Sequence, residues 1–313
     1  MKKVLIPTAL DGIAKKTLET HGGYAVVQVP KCDVLQLVRD NPDVHALIVR
    51  SEKITAEIID AAPQLKVVIR AGAGYNTIDI VHARAKGVDV MNTPGANSNG
   101  VAEEVIALML ADARRLIPAD ASCRAGKWEK TAFMGTEITG KTVGIVGLGY
   151  IGRLVVKRLA GFEVKFLGFD PGITHRQAVE LGVKLVSLDE LFSQSDYVTL
   201  HLPETAETKG LVNRALIGQM KPGATLINCA RSGIINEADL RALKAEKQIR
   251  FLNDVYPKDE EGPKSVADIA DIMVPHLGAS TREANNKAAE IAAQELIDLD
   301  DKGIAKAVVN KAK

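Results

Sequence analysis

Two sets of residues in this chain have types and spacings suited to chemistry. One is a glycine-rich loop that can cradle a diphosphate. The other is a scatter of arginine, carboxylate and histidine side chains at the ends of apolar runs. The loop is Gly147-Leu148-Gly149-Tyr150-Ile151-Gly152, entered from the apolar run Thr142–Val146 and left through the helix-compatible stretch 153–159. In such a loop Gly147 permits the tight turn and Gly149 lets backbone N–H groups approach a pyrophosphate. Gly152 lets a helix pack closely on a strand, with its positive N-terminal end towards the phosphates. Asp170 closes the next apolar run, 18 residues past Gly152. Its carboxylate can accept from both hydroxyls of a ribose and repels a 2′-phosphate, which favours NAD over NADP. A bare G-x-G-x-x-G arises by chance roughly 0.2 times in a chain of this glycine content, so its context carries the assignment: strand before, helix after, acid at the right distance.

The second set follows from where ligands bind in open α/β sheets, beyond the carboxyl ends of the strands. Arg50 and Ser51 follow the run 46–49, Asn76 follows 65–69, and Arg231 follows 224–228. Asp254 and Asp259 lie at and beyond the end of the run 249–255, and His276 follows 272–274. Both sheets are thus expected to aim polar groups into one cleft between domains. An arginine binds a carboxylate bidentately, a histidine exchanges a hydroxyl proton, and a nearby carboxylate orients the imidazole and stabilises its charged form. That is the equipment for hydride transfer to and from a 2-hydroxy acid.

The elements that must hold these groups form two series. Runs at 4–6, 24–29, 46–49, 65–69 and 89–91 alternate with helix-compatible stretches, and a second series follows at 142–146, 164–169, 183–186, 197–200, 224–228, 249–255 and 272–274. This is the βαβ rhythm of parallel sheets covered on both faces. Between the series, Val101, Val105, Met109 and Ala113 recur at helical spacing within 101–116, which marks a helix and the first crossing between domains. After the last run, Ser280-Thr281-Arg282-Glu283 has the Ser-x-x-Glu form of a capping box and opens an alanine-rich helix to about residue 300. The fold class expected is α/β with two doubly wound parallel-sheet domains. A Rossmann NAD-binding domain, 99–285, is inserted into a flavodoxin-like substrate-binding domain built from 1–98 plus 286–313.

Composition excludes several function classes. The 313 residues suit two domains rather than one. Forty Lys+Arg against 39 Asp+Glu, without a like-charge block, leave no surface for wrapping nucleic acid. Cys32, Cys123 and Cys229 are odd in number and widely spaced, which fits a reducing, cytoplasmic setting and neither a disulfide framework nor a thiolate metal site. The other histidines, His21, His45, His82, His175 and His201, show no ligand spacing, so no metal is expected. No apolar run approaches the ~18–20 residues of a membrane span. The basic start followed by residues 4–10 is broken by Pro7 and closed by Asp11, and reads as a first strand rather than a signal peptide.

Several segments together resemble the signature segments of the D-2-hydroxyacid dehydrogenases, and the likeness covers almost the whole chain. They are Arg50-Ser51, Ala71-Gly72-Ala73-Gly74-Tyr75-Asn76, Met91-Asn92-Thr93-Pro94-Gly95-Ala96-Asn97, Gly126-Lys127-Trp128-Glu129, Asn228-Cys229-Ala230-Arg231 and Pro275-His276-Leu277-Gly278-Ala279-Ser280-Thr281. The resemblance is strongest to members that oxidise 3-phospho-D-glycerate to 3-phosphohydroxypyruvate with NAD, the entry step of phosphorylated serine biosynthesis. It implies Arg231 as the substrate-carboxylate arginine and His276 as the acid–base histidine, with a carboxylate partner at Asp259. Here the chain departs from the family pattern. Lys258-Asp259-Glu260-Glu261-Gly262-Pro263 stands where Glu-Pro is usual, so Glu260 is the alternative partner. Cofactor contacts implied besides the glycines are Tyr150, Ile151, Asp170, Leu202, Cys229, Ala230, Asp254 and Gly278. Arg50, Ser51 and Asn76 are the implied substrate contacts, and a homodimer is the implied assembly.

Each of these has a plainer reading. His276 alone could be a structural histidine, and Arg231, Arg50 and Arg70 could simply close strands; for Arg70 the plain reading is the better one. Cys229 has no histidine beside it in sequence and reads as a small residue packed against the cofactor rather than as a nucleophile. Arg114 and Arg115 end the helix where the dipole favours cations, with phosphate binding by Arg115 the sharper alternative. Trp128 reads as the packing anchor of a loop, in a region that helps form the dimer in the resembling family. The two rival functions are reduction of glyoxylate, hydroxypyruvate or another small 2-keto acid, and an NAD-sensing, corepressor-like binding protein, for which no peptide-docking segment is identifiable. Two sheets and a returning helix account for the length, so no C-terminal regulatory domain is expected.

Overall fold

A computed structural model describes residues 1–311 of the chain. It divides into two compact units, Met1–Asn97 together with the segment from Ser280 on, and Ser98–Ala279.

In the first unit the order along the chain is β1 (Lys2–Ile6), α1 (Ile13–His21), β2 (Tyr24–Gln28), α2 (Val34–Arg39), β3 (Val44–Val49), α3 (Ala56–Asp60), β4 (Val67–Arg70), α4 (Ile80–Ala85) and β5 (Asp89–Asn92). The five strands are parallel in the order β2-β1-β3-β4-β5, the flavodoxin-like arrangement. Helices cover both faces, so strand side chains alternate between two cores. Val4 and Ile6 join the cluster containing Leu18 of α1. Leu5 joins the opposite one with Val38, Ile58 and Ala83. The open edge at β5 is covered by the C-terminal segment: Val309 N–H donates to Val90 O at 2.8 Å, and the Asn310 side chain accepts from Val90 N–H at 2.9 Å. That pairing removes an edge to which another strand could add.

The second unit continues as α5 (Ser98–Ala113), α6 (Leu116–Arg124), β6 (Thr142–Val146), α7 (Tyr150–Leu159), β7 (Lys165–Phe169), α8 (His175–Glu180), β8 (Lys184–Leu185), α9 (Leu188–Gln194) and β9 (Tyr197–Leu200). Then come α10 (Arg214–Gln219), β10 (Thr225–Asn228), α11 (Glu237–Lys247), β11 (Arg250–Asn253) and β12 (Ile272–Met273). Its seven parallel strands run β12-β11-β10-β9-β6-β7-β8, so the strand order reverses between β6 and β9. This is the Rossmann arrangement with one strand added beyond the usual six. The chain returns to the first unit as α12 (Arg282–Lys302), whose Ala288, Ala289, Ala292, Ala293 and Leu296 pack against Leu18 and the β1 face. Small side chains let this long helix lie close to α1.

Four local expectations need correction. The helix from residue 101 stops at Ala113 rather than 116, because Arg115 turns to φ 55° and the Ala113 carbonyl accepts from Thr136 N–H at 2.8 Å. The run 183–186 pairs only at Lys184–Leu185. Thr281, not Ser280, caps α12, its Oγ1 accepting from Ala284 N–H at 3.0 Å. Trp128 is 89% exposed rather than packed as the anchor of a loop. No helix among the described residues is long and apolar enough to cross a membrane.

Candidate active site

The glycine loop connects β6 to α7 at the point where the second sheet reverses order. Gly147 has φ +98°, and an added Cβ would lie 2.9 Å from the His201 carbonyl carbon and 3.0 Å from Leu202 Cδ2, so the turn tolerates only glycine. Gly152, in the first turn of α7, is tighter still: its Cβ would overlap the Gly147 carbonyl oxygen. Gly149 caps α7, has φ −74°, and nothing lies within 4 Å of where its Cβ would stand. Having no side chain, it leaves the first-turn N–H groups for an incoming anion. Tyr150 is exposed and Ile151 packs into the core beside α5.

Asp170 is pre-oriented by this same loop. One carboxylate oxygen accepts from Leu148 N–H and the other from Gly172 N–H, both at 2.7 Å. The acid that would select the ribose is therefore tied to the turn that would hold the pyrophosphate. A glycine cradle with open space over Gly149 and an anchored acid beside it fits a dinucleotide.

Along the same sheet edge, Asn228 at the end of β10 shapes the next turn, accepting from Ala230 N–H at 3.1 Å and donating to Arg231 O at 3.0 Å. Cys229 and Ala230 are buried by this turn, while Arg231 emerges half-buried, with Nη1 donating to Ala230 O at 2.6 Å. Burial and the charges of Glu104 and Asp254 push the Cys229 thiol well above its ordinary value, so it stays protonated and is a poor nucleophile.

His276 follows β12 in the left-handed region, φ 55°, where few non-glycine residues sit. Its Nδ1 lies 2.7 Å from Asp259 Oδ2. Glu260 instead faces Lys258, at 3.6 Å. The turn behind the histidine is fixed by Asp254, which accepts from Leu277 N–H at 2.6 Å and Gly278 N–H at 3.3 Å.

Two side chains here carry a signal that the motif reading passed over. Glu104 stands on α5 three residues after buried Val101 and four before buried Leu108, an acid on an apolar stripe. Burial and the neighbouring Asp254 charge push it up to about 8. His201 follows β9; burial pushes it down to about 3, so it is neutral, and its Nε2 lies 3.0 Å from Thr199 Oγ1.

The first unit places the remaining three residues at the carboxyl ends of its own strands. Arg50 is half-buried after β3, Ser51 is exposed beside it, and their N–H groups both donate to Glu52 Oε2, at 2.8 and 3.2 Å. Asn76 is exposed in the loop after β4. Arg70, read from the sequence as a charge that closes a strand, is the last residue of β4 and donates from Nε to Arg50 O at 3.0 Å.

A family model described as D-isomer specific 2-hydroxyacid dehydrogenase, NAD binding domain, matches residues 106–278. The chain belongs to this family. D-3-phosphoglycerate dehydrogenase of Archaeoglobus fulgidus is 43% identical over 268 residues, 84% of this chain and 51% of that protein. The chain spans about half the length of the curated relatives it matches. Among solved structures, the NAD-bound 3-phosphoglycerate dehydrogenase of Entamoeba histolytica aligns with a TM-score of 0.82 and 32% identity, covering 100% of this chain and 99% of that one. A glyoxylate reductase from Paecilomyes thermophila aligns with a TM-score of 0.85 and 25% identity, covering 98% of each. Within the family, the matched region contains Arg231, Asp259, His276 and the whole glycine loop.

Proposed function

We propose that the chain oxidises 3-phospho-D-glycerate to 3-phosphohydroxypyruvate with NAD, the unit Ser98–Ala279 binding the cofactor and the first unit contributing to substrate binding. The observation that carries the chemistry is the 2.7 Å contact between His276 Nδ1 and Asp259 Oδ2, placed one turn after a parallel strand on the ligand-binding edge of a Rossmann sheet. With Nδ1 donating to the carboxylate, Nε2 is the nitrogen left to take the substrate hydroxyl proton, and Asp259 steadies the imidazolium that results. Arg231 binds the substrate carboxylate through its guanidinium fork. Arg50, Ser51 and Asn76 are assigned to the remainder of an anionic substrate. NAD, when bound, supplies the hydride acceptor. Gly147, Gly149, Tyr150, Ile151, Gly152, Asp170, Leu202, Cys229, Ala230, Asp254 and Gly278 are assigned to holding it.

The choice of the phosphorylated acid rests on the identity to named phosphoglycerate dehydrogenases over most of the chain. A homodimer is proposed as well, supported by the exposure of Trp128 at 89% and Met134 at 81% in the segment after α6. The unpaired Cys32, Cys123 and Cys229 suit a reducing, cytoplasmic compartment.

The experiment is absorbance-followed NAD reduction and NADH oxidation with a panel of D-2-hydroxy and 2-keto acids. The phosphorylated pair is expected to give the highest kcat/KM. Equal or better turnover of glyoxylate or hydroxypyruvate would transfer the assignment to a small-keto-acid reductase, and NAD binding without turnover of any substrate would favour a sensor.

A further inference from the structure

The left-handed turn at His276 is held by hydrogen bonds from three successive N–H groups. His276 N–H donates to Val274 O at 3.1 Å, and the next two, Leu277 and Gly278, both end on Asp254. Asp254 is 1% exposed, so whatever fixes its carboxylate also fixes the turn. Glu104 reaches the same place from α5. A Cβ added to Gly278 would lie 2.9 Å from Glu104 Oε2 and 3.5 Å from Asp254 Oδ2, so the two carboxyl groups converge on one side of the Gly278 backbone. Only glycine leaves room for them. Glu104 Oε2 is buried and no donor among the described residues reaches it. Cys229 Sγ completes a group whose ligand-type atoms all lie within 4.8 Å of one another.

Two ionised carboxylates cannot share such a space, whereas one proton between them turns repulsion into a hydrogen bond. Asp254 already receives two N–H donors, which favours its charged form, so the proton resides on Glu104. We infer that Glu104 is a positioning residue: it carries the shared proton, donates it to Asp254, and thereby holds the Leu277 and Gly278 N–H groups and the turn that presents His276. This deepens the proposed function and rests on it only for the role of His276.

Burial, followed by the Asp254 charge, raises Glu104 to about 8, so the proton is present at neutral pH and lost on the alkaline side. The groups facing the pair are Asp254 after β11, Cys229 after β10 and His276 after β12, whose charge acts on Asp254. On α7, Arg158 lies 3.8 Å from Glu103, on the neighbouring position of α5. Loss of the proton leaves two negative charges facing each other, and the carboxylate that anchors the turn is pushed away.

The test is amide hydrogen exchange at Leu277 and Gly278 in the full chain, without substrate, expressed as protection so that the intrinsic base dependence drops out. In the unsubstituted chain, protection is expected to fall about tenfold or more above about pH 8. Glu104→Gln supplies a neutral donor at every pH and should keep protection level across that range. Glu104→Ala should lower it throughout. The pH profile of kcat should show an alkaline limb that Glu104→Gln removes, while Gln and Ala differ at neutral pH. Protection that does not change with pH in the unsubstituted chain, or the same decline in Glu104→Gln, overturns the inference. Should Glu104→Gln fail to fold, the infrared carboxylic C=O band of the Glu295→Gln chain, which lacks the other carboxyl raised into this range, decides: it must be present at pH 7 and vanish on alkaline titration. The exchange and infrared arms need no turnover, so they separate failure of this inference from failure of the assigned reaction.

Discussion

Gly149 and Gly152 stand three residues apart in one loop, yet the same substitution should damage different properties. Gly152→Ala puts a Cβ closer than 3.0 Å to the Gly147 carbonyl oxygen, with the carbonyl carbon at 3.1 Å and Ile145 Cγ2 at 3.2 Å. Two of these atoms are backbone and cannot rotate away. Restoring ordinary contact requires α7 to retreat from β6 by about 1 Å, an overpacking error costing about 1–3 kcal/mol. In a unit of this size that lowers Tm by roughly 2–12 °C. Gly149→Ala meets nothing within 4 Å and keeps an allowed φ of −74°, so its stability cost is limited to the weaker capping of Ala, about 1 kcal/mol or less. Its methyl occupies the space over the helix N-terminus that the pyrophosphate needs, and NAD affinity should fall at least tenfold, about 1.4 kcal/mol. Thermal unfolding and titration calorimetry with NAD measure the two quantities separately. A Gly149→Ala protein that binds NAD as tightly as the unsubstituted chain would refute the placement of the pyrophosphate. A Gly152→Ala protein with unchanged Tm would refute the packing argument.

Two further predictions concern the acid–base pair and pH. His276→Gln should lower kcat by about 10²–10⁴-fold with NAD binding unchanged. Asp259→Asn, which keeps the contact and loses the charge, should cost less, about tenfold. Glu260→Gln should change turnover less than about twofold, because Glu260 faces Lys258; a larger loss in Glu260→Gln than in Asp259→Asn would reverse the assignment. In the first unit, burial raises Glu295 from 4.5 to about 7. A folded value above the unfolded one means its favourable contribution is complete below about pH 4.5 and lost as pH rises through about 7. Glu295→Gln should therefore gain Tm relative to the unsubstituted chain at alkaline pH and lose that advantage at pH 5. Equal differences in Tm at both pH values would show that Glu295 is not desolvated as the structure places it.

The parts of this protein written in consecutive residues were legible from the chain. Thr142–Val146 followed by the three glycines and Asp170 announced a strand, a turn and a helix because each depends on backbone freedom within a few positions. Alternating apolar runs likewise announced parallel sheets, since strands covered on both faces must be apolar throughout. Boundaries were less legible. Residues 114–116, Arg-Arg-Leu, are all good helix formers, and the helix ends before them because Arg115 turns to φ 55° and Ala113 O accepts from Thr136 N–H. Ser280 and Thr281 are both capping residues, and their choice turned on which hydroxyl the folded backbone brought to Ala284 N–H.

The sequence by itself determined the cradle for a dinucleotide and the supply of arginine, acid and histidine at strand ends. The tertiary structure decided which of them lie together. Whether Asp259 or Glu260 meets His276 depended on the path of a loop that no periodicity describes. Glu104 and Asp254 are 150 positions apart and became a pair because Val101, Ala102 and Val105 of α5 share a buried cluster with Ile227 of β10, Cys229 and Leu252 of β11. Ionisation is set by that surrounding dielectric and by neighbouring charge, and both are properties of the packed chain rather than of any segment of it.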